Sequence, residues 1–163
     1  MLNKKIDTPH AMQMTGKGDS MAPLIKSGAN LILDISPEQT YRAGDIVAFV
    51  GYRGNIVAHR ILFSALLPSG HQQYLLKGDH NIGTSQYMDA ERLLGKVQKI
   101  VYPLYNIDLA TPLSSFVARL ITYSGRITLA HHWFYTVNRI TVFCLTLVLI
   151  SNARRRILKR GKK

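Results

Sequence analysis

Between residues 28 and 102 short apolar runs follow one another with turn signals, and no helical pattern, between them. No other feature constrains the fold as much. Five short runs rich in Val, Ile, Leu and aromatic residues follow one another: Asn30–Ile35, Asp45–Val50, Asn55–Phe63, Gln72–Lys77 and Leu93–Val101. Turn signals separate them at Ser27-Gly28, Arg42 to Asp45, Arg53-Gly54-Asn55, Pro68-Ser69-Gly70 and Gly78-Asp79. Strands spaced this closely connect as antiparallel hairpins, so the expected fold is mainly β, with a small antiparallel domain over residues 1–110.

The pattern changes at Thr111-Pro112. Thr is a good N-cap and Pro suits the first helical position. Leu113, Phe116, Val117, Leu120 and Ile121 then form one apolar stripe at helical spacing, and Ser124-Gly125 is the expected break. From Ile127 to Ser151 there is no acid and one Arg (Arg139), with Trp133-Phe134-Tyr135 inside the segment and an uncharged run, Ile140–Ile150, at its end. Arg154-Arg155-Arg156, Lys159-Arg160 and Lys162-Lys163 close the chain. Residues 111–163 therefore read as a helical, basic C-terminal region.

Charge divides the chain at the same place. Residues 1–110 carry 11 basic and 9 acidic side chains, and residues 111–163 carry 10 basic and none acidic. A basic tail suits nucleic acid or an anionic membrane surface, and the hydrophobicity of this one favours the membrane. Three arrangements of residues 125–163 stay open: spanning, lying in the interface, or packing as a soluble core helix. If the segment spans, the positive-inside tendency puts the basic tail in the cytoplasm and the β-domain outside, so the membrane side is open as well.

Several classes are excluded. One cysteine, Cys144, allows neither an internal disulfide nor a zinc cluster of its own, and it reads as a small buried hydrophobe. Residues 1–14 have basic side chains but no apolar run after them, so no cleavable signal peptide is expected. His71, His80, His131 and His132 lack the spacing and Glu of zinc proteases, and no phosphate loop or nucleotide fingerprint is present. No metal, cofactor or specific nucleic acid is expected.

Three segments carry the chemistry: Gly18-Asp19-Ser20-Met21-Ala22-Pro23, Ile56-Val57-Ala58-His59-Arg60-Ile61, and Leu75 to Asn81 containing Lys77-Gly78-Asp79. Alone, they read as a turn, a strand with a packed His, and a hairpin. Together they supply a Ser hydroxyl, an imidazole and a carboxylate. A Ser needs a base within hydrogen-bond reach, and His can take its proton and return it to a leaving amine. A carboxylate beyond the His fixes its tautomer. Arg60 reads either as an ion pair positioning the turn near Asp79 or as a solvated side chain.

Gly-Asp-Ser-Met-x-Pro, a Gly-Asp-Ile-Val strand, a strand ending Val-x-His-Arg and a Lys-Gly-Asp-x-Asn turn resemble type I signal peptidases. The likeness is to the branch of the endoplasmic reticulum, archaea and some spore-forming bacteria, where the base is His. It covers about residues 14–102. It implies a twisted antiparallel β-domain that binds an extended peptide as an added strand, with Ser20 as nucleophile and His59 as general base. Asp79 matches the family's Lys-Gly-Asp carboxylate. The family's second acid, about six residues later, is replaced here by Ser85, which leaves Asp79, Asp89 or no acid at all as the third member. The family's side-chain oxyanion donor is replaced by Gly18, leaving the Ser20 N–H. Met21 and Pro23 are expected to shape the substrate groove.

The expected function is a membrane-associated serine endopeptidase that removes a signal or leader peptide from a precursor. Its partners would be that extended peptide, membrane lipids through residues 125–163, and a membrane exporter or maturation complex. Two other readings remain. One is a catalytically inactive peptide-binding module tethered to membrane. The other is a relative of self-cleaving repressors, against which His59 in place of Lys and the lack of a helix-turn-helix before Ser20 both count.

Overall fold

A computed structural model describes residues 10–51, 54–81, 85–130 and 135–160. Eight strands form one antiparallel sheet: β1 (Ala11–Thr15), β2 (Asn30–Asp34), β3 (Ile46–Val50), β4 (Ile56–Leu66), β5 (Gln72–Lys77), β6 (Ser85–Asp89), β7 (Leu93–Val101) and β8 (Asn106–Asp108). Their order across the sheet is β1-β2-β7-β3-β4-β5-β6, with β8 paired to β7. Two helices follow, α1 (Pro112–Ala130) and α2 (Tyr135–Arg160). The mainly β class with C-terminal helices is as expected. Three strands were not: β1, β6 and β8 lie outside the five apolar runs.

Strand β3 shows how the sheet is filled. Ile46 and Ala48 enter a core shared with Leu31, Val97 and Ile100, while Val47 and Phe49 enter a second core with Ile61, Tyr74 and Leu76. Alternate side chains of one strand thus serve opposite faces, and both faces are covered. The helices cover the first. Val117 and Ile121 of α1, with Val142, Leu149 and Ala153 of α2, belong to the same core as β2 and β7. The boundary near residue 110 marks a change of secondary structure, while the apolar interior is continuous across it.

Helix α1 begins as its sequence requires. The Thr111 hydroxyl accepts the Ser114 N–H at 3.2 Å, the N-cap bond that satisfies an otherwise orphaned donor. The expected break at Ser124-Gly125 does not occur. Ser124 Oγ lies 3.0 Å from the Ile121 carbonyl and 2.6 Å from Asn138 Oδ1 of α2, and a side chain on Gly125 would press on Leu62 Cδ2 at 3.2 Å. The Ser-Gly pair therefore lets α1 approach its neighbours closely. Arg126 fixes that approach, donating twice to the Leu62 carbonyl (2.8 and 2.6 Å) and lying 4.3 Å over the Phe63 ring. His131, His132, Trp133, Phe134, Arg53 and residues 1–9 lie outside the described residues.

Candidate active site

Ser20 sits in the loop between β1 and β2, and the hairpin after β5 holds that loop. The His80 N–H donates to the Ser20 carbonyl at 2.9 Å, and the Asp79 N–H donates to Met21 Sδ at 3.4 Å. Gly78 makes the approach possible, because a Cβ there would stand 2.6 Å from the Ser20 carbonyl oxygen. Further along the loop, the Tyr102 hydroxyl donates to the Leu24 carbonyl at 2.9 Å and accepts the Lys26 N–H at 3.1 Å. The Lys-Gly-Asp motif hinted at the first anchor. Nothing in the sequence pointed to Tyr102.

His59 comes from β4, opposite Val47 of β3. Ser20 and His59 line one groove of about 650 Å³, walled by Met14 to Met21 on one side and by Asn55 to His59 on the other. Ile56 to Ala58 pair with β3 on one side, and β5 joins β4 only from Arg60 onward. Among the described residues, the other backbone edge of Ile56–Ala58 is therefore unpaired, and the same residues line this groove. Such an edge can accept an extended peptide as a further strand.

Burial depresses the His59 pKa to about 4; the Asp79 charge opposes this shift and Lys77 reinforces it. The ring is therefore neutral at physiological pH, the form a general base needs. It contacts Phe49 edge-on at 5.6 Å between ring centres. Its Nδ1 is buried and has no hydrogen-bond partner, and the Ser20 hydroxyl makes no hydrogen bond among the described residues.

Asp79 makes no hydrogen bond to His59. Its carboxylate takes both ends of a fork from Arg60, Nε to Oδ1 at 2.8 Å and Nη2 to Oδ2 at 2.6 Å, with the side chains 2% and 3% exposed. Arg60 Nη1 completes the set on the Gly44 carbonyl at 2.8 Å. The reason is the pleat of β4: neighbouring residues point to opposite faces, so a carboxylate that grips Arg60 is turned away from His59. Of the two readings of Arg60, the ion pair holds. Lys77, also buried, donates to the Asn81 carbonyl at 2.8 Å and closes the same hairpin.

Asp89 is not at the site either. It ends β6, where Oδ1 accepts Gln73 Nε2 at 3.1 Å, and Gln73 pairs with Ala65, six residues along β4 from His59. That is on the order of 20 Å of strand. Met21 lines the groove while burying its side chain in the core. Pro23, joined to Ala22 by a cis peptide, lies instead at a separate recess of about 130 Å³ with Asp79, His80 and α2. Gly18 adopts φ 82°, a left-handed conformation that favours glycine over the hydroxyl residue expected from the resemblance. The Ser20 N–H has no acceptor among the described residues and is available as a donor.

No protein-family model, curated protein or solved structure matches the chain. The functional reading therefore rests on the groove and its side chains.

Proposed function

We propose that the protein is a serine endopeptidase of the signal-peptidase type, working with a Ser20–His59 dyad and removing a leader segment from a precursor. The single observation supporting this is the shared groove of Ser20 and His59 beneath an unpaired backbone edge. The peptide lies along Ile56–Ala58, which brings its scissile carbonyl to Ser20. His59 takes the hydroxyl proton as Oγ attacks, and the Ser20 N–H stabilises the oxyanion. The imidazolium returns that proton to the departing amine. Water then enters and attacks the acyl carbonyl, losing a proton to His59, which passes it to the departing Ser20 Oγ as the acyl group leaves as a carboxylic acid. Asp79 contributes its charge at a distance and, through Arg60, the position of the hairpin that holds the Ser20 loop. The chain associates with membrane through α1 and α2, where a leader peptide emerging from an exporter would meet it.

One observation favours a second reading, a peptide-binding module without turnover: neither the Ser20 hydroxyl nor the His59 Nδ1 is engaged. Cleavage of synthetic leader peptides with small residues before the scissile bond separates the two. Under the first reading, Ser20→Ala and His59→Ala each lower kcat/KM on the order of 10³-fold or more while the thermal midpoint holds. Binding of the same peptides by well-folded wild type without any cleavage establishes the second.

A further inference from the structure

Helix α2 has two apolar faces, and one of them is uncovered. Val142, Leu149 and Ala153 are buried in the core, alongside the buried polar side chains Asn138 and Thr146. They recur every three to four residues and define the inward stripe. The outward stripe is Val137, Ile140, Phe143, Leu147 and Val148, all exposed, Phe143 to 52%. α1 repeats the arrangement, with Val117 and Ile121 inside and Phe116, Leu120 and Tyr123 outside. Large apolar side chains this numerous on two neighbouring helices exceed the scattered hydrophobes normal on a water-facing surface.

Charge identifies the occupant. Residues 111–163 hold ten basic side chains and no acid. Arg119 is exposed between Phe116 and Tyr123 on α1, and exposed Arg154, Arg155 and Arg156 follow the outward stripe of α2. Apolar side chains on helices that carry cations and no acid match an anionic lipid leaflet, where the first enter the acyl boundary and the second meet phosphate headgroups. A second copy would instead bring like charges together.

Packing sets the orientation. α2 is long and apolar enough to cross a bilayer between Thr136 and Arg156. It is nevertheless seated on the rest of the molecule near both ends. Asn138 meets Ser124 of α1, and Arg154 lies 5.3 Å from the ring centre of Tyr105, just before β8. Those two points are about 24 Å apart along a helix. To cross a bilayer while so seated, α2 would carry β8 and its flanking turns into hydrocarbon, where their exposed backbone groups would find no partners.

We infer that α1 and α2 lie together in the plane of an anionic membrane surface, their outward stripes in the lipid, and that α2 does not cross it. This rests on the reading of the chain as membrane-associated, and it is independent of proteolysis. Phe143 also borders Ala22, Pro23, Asp79 and His80, so the Ser20 loop is held beside the headgroups. The peptide bonds within reach are those presented at the membrane surface.

Cys144 provides the measurement. It is the chain's one cysteine and, contrary to the buried hydrophobe expected from its apolar run, it is exposed on the outward side of α2, near the middle of the stretch long enough to span. The full chain carrying Ser20→Ala is labelled there with an environment-sensitive fluorophore and mixed with phosphatidylcholine vesicles, with or without phosphatidylserine. Nitroxide quenchers are placed near the headgroup or near the acyl terminus. An in-plane helix puts the probe about 5–10 Å into the interface, so the shallow quencher acts more strongly. Binding to vesicles with phosphatidylserine should exceed binding to neutral ones about tenfold or more and fall with added salt. Ile140→Ser with Leu147→Ser, both on the exposed stripe, should weaken it by a similar factor. Stronger quenching at the acyl terminus overturns the inference in favour of a spanning helix. An unchanged probe signal with vesicles, or a vesicle-free dimer that covers Cys144, overturns it as well. Because cleavage is not read, failure of the protease reading leaves these outcomes intact.

Discussion

Two neighbouring residues of β4 serve opposite faces of the sheet, and their surroundings could hardly differ more. Arg60 faces the helices with every neighbour matched: a bidentate carboxylate, a carbonyl and a closed hairpin. His59 faces the groove with its Nδ1 buried and unpaired. Folded proteins pair nearly all of their buried polar groups, so each exception calls for an explanation; among the described residues the other is Thr146 Oγ1 on α2. The Arg60 side holds the shape. The His59 side keeps a polar atom in reserve.

Removing one partner on the satisfied side has the largest expected effect on stability. Asp79→Asn leaves a buried guanidinium without its counter-charge and should destabilise by about 3–5 kcal/mol, read from the urea midpoint. Adding Arg60→Met to that variant should restore part of the loss, because the stranded charge goes with it. Gly78→Ala should cost about 1–3 kcal/mol, since its methyl group meets the Ser20 carbonyl, and should lower peptide cleavage even at temperatures where the variant is folded.

The unsatisfied side is sharpened by pH. His59 has a folded pKa near 4 and an ordinary value of 6.5 when unfolded. Between those values the unfolded chain binds a proton that the folded chain refuses, so stability falls as pH drops from about 6.5 to 4. His59→Phe should flatten that decline by something on the order of 1–2 kcal/mol in acid denaturation, a figure reduced for the ring's partial exposure. In the active chain, the acid limb of kcat/KM should lie near 4, where the base becomes protonated. The smallest effect is the most local: Thr111→Ala should cost about 1 kcal/mol through the lost cap of α1 and leave cleavage unchanged.

The inner strands were legible because they are buried and rich in β-branched and aromatic residues. β1 (Ala11–Thr15) and β6 (Ser85–Asp89) were not, and they are the two outermost strands of the main path. Edge strands face solvent on one side and are held by a neighbour's backbone, so Ala-Met-Gln-Met-Thr and Ser-Gln-Tyr-Met-Asp need little apolar signal. At the site, the residue types and the motif resemblance single out Ser20 and His59, and only the fold places them along one groove. The role of Asp79 was not readable, because His59 and Arg60 are adjacent in sequence and only the pleat decides which of them a carboxylate reaches. Ser124-Gly125 misled for a related reason: small residues that break an isolated helix also allow close packing, and the neighbours that decide between the two are distant in sequence.

The bond from His80 to the Ser20 carbonyl, with bare Gly78 beneath it, ties the alcohol to a hairpin that lies outside the groove. If Ser20 is the nucleophile proposed above, damage to that hairpin would masquerade as its loss, with hydroxyl and imidazole both intact and turnover gone. A small molecule wedged under the hairpin could silence the protein without ever entering the groove.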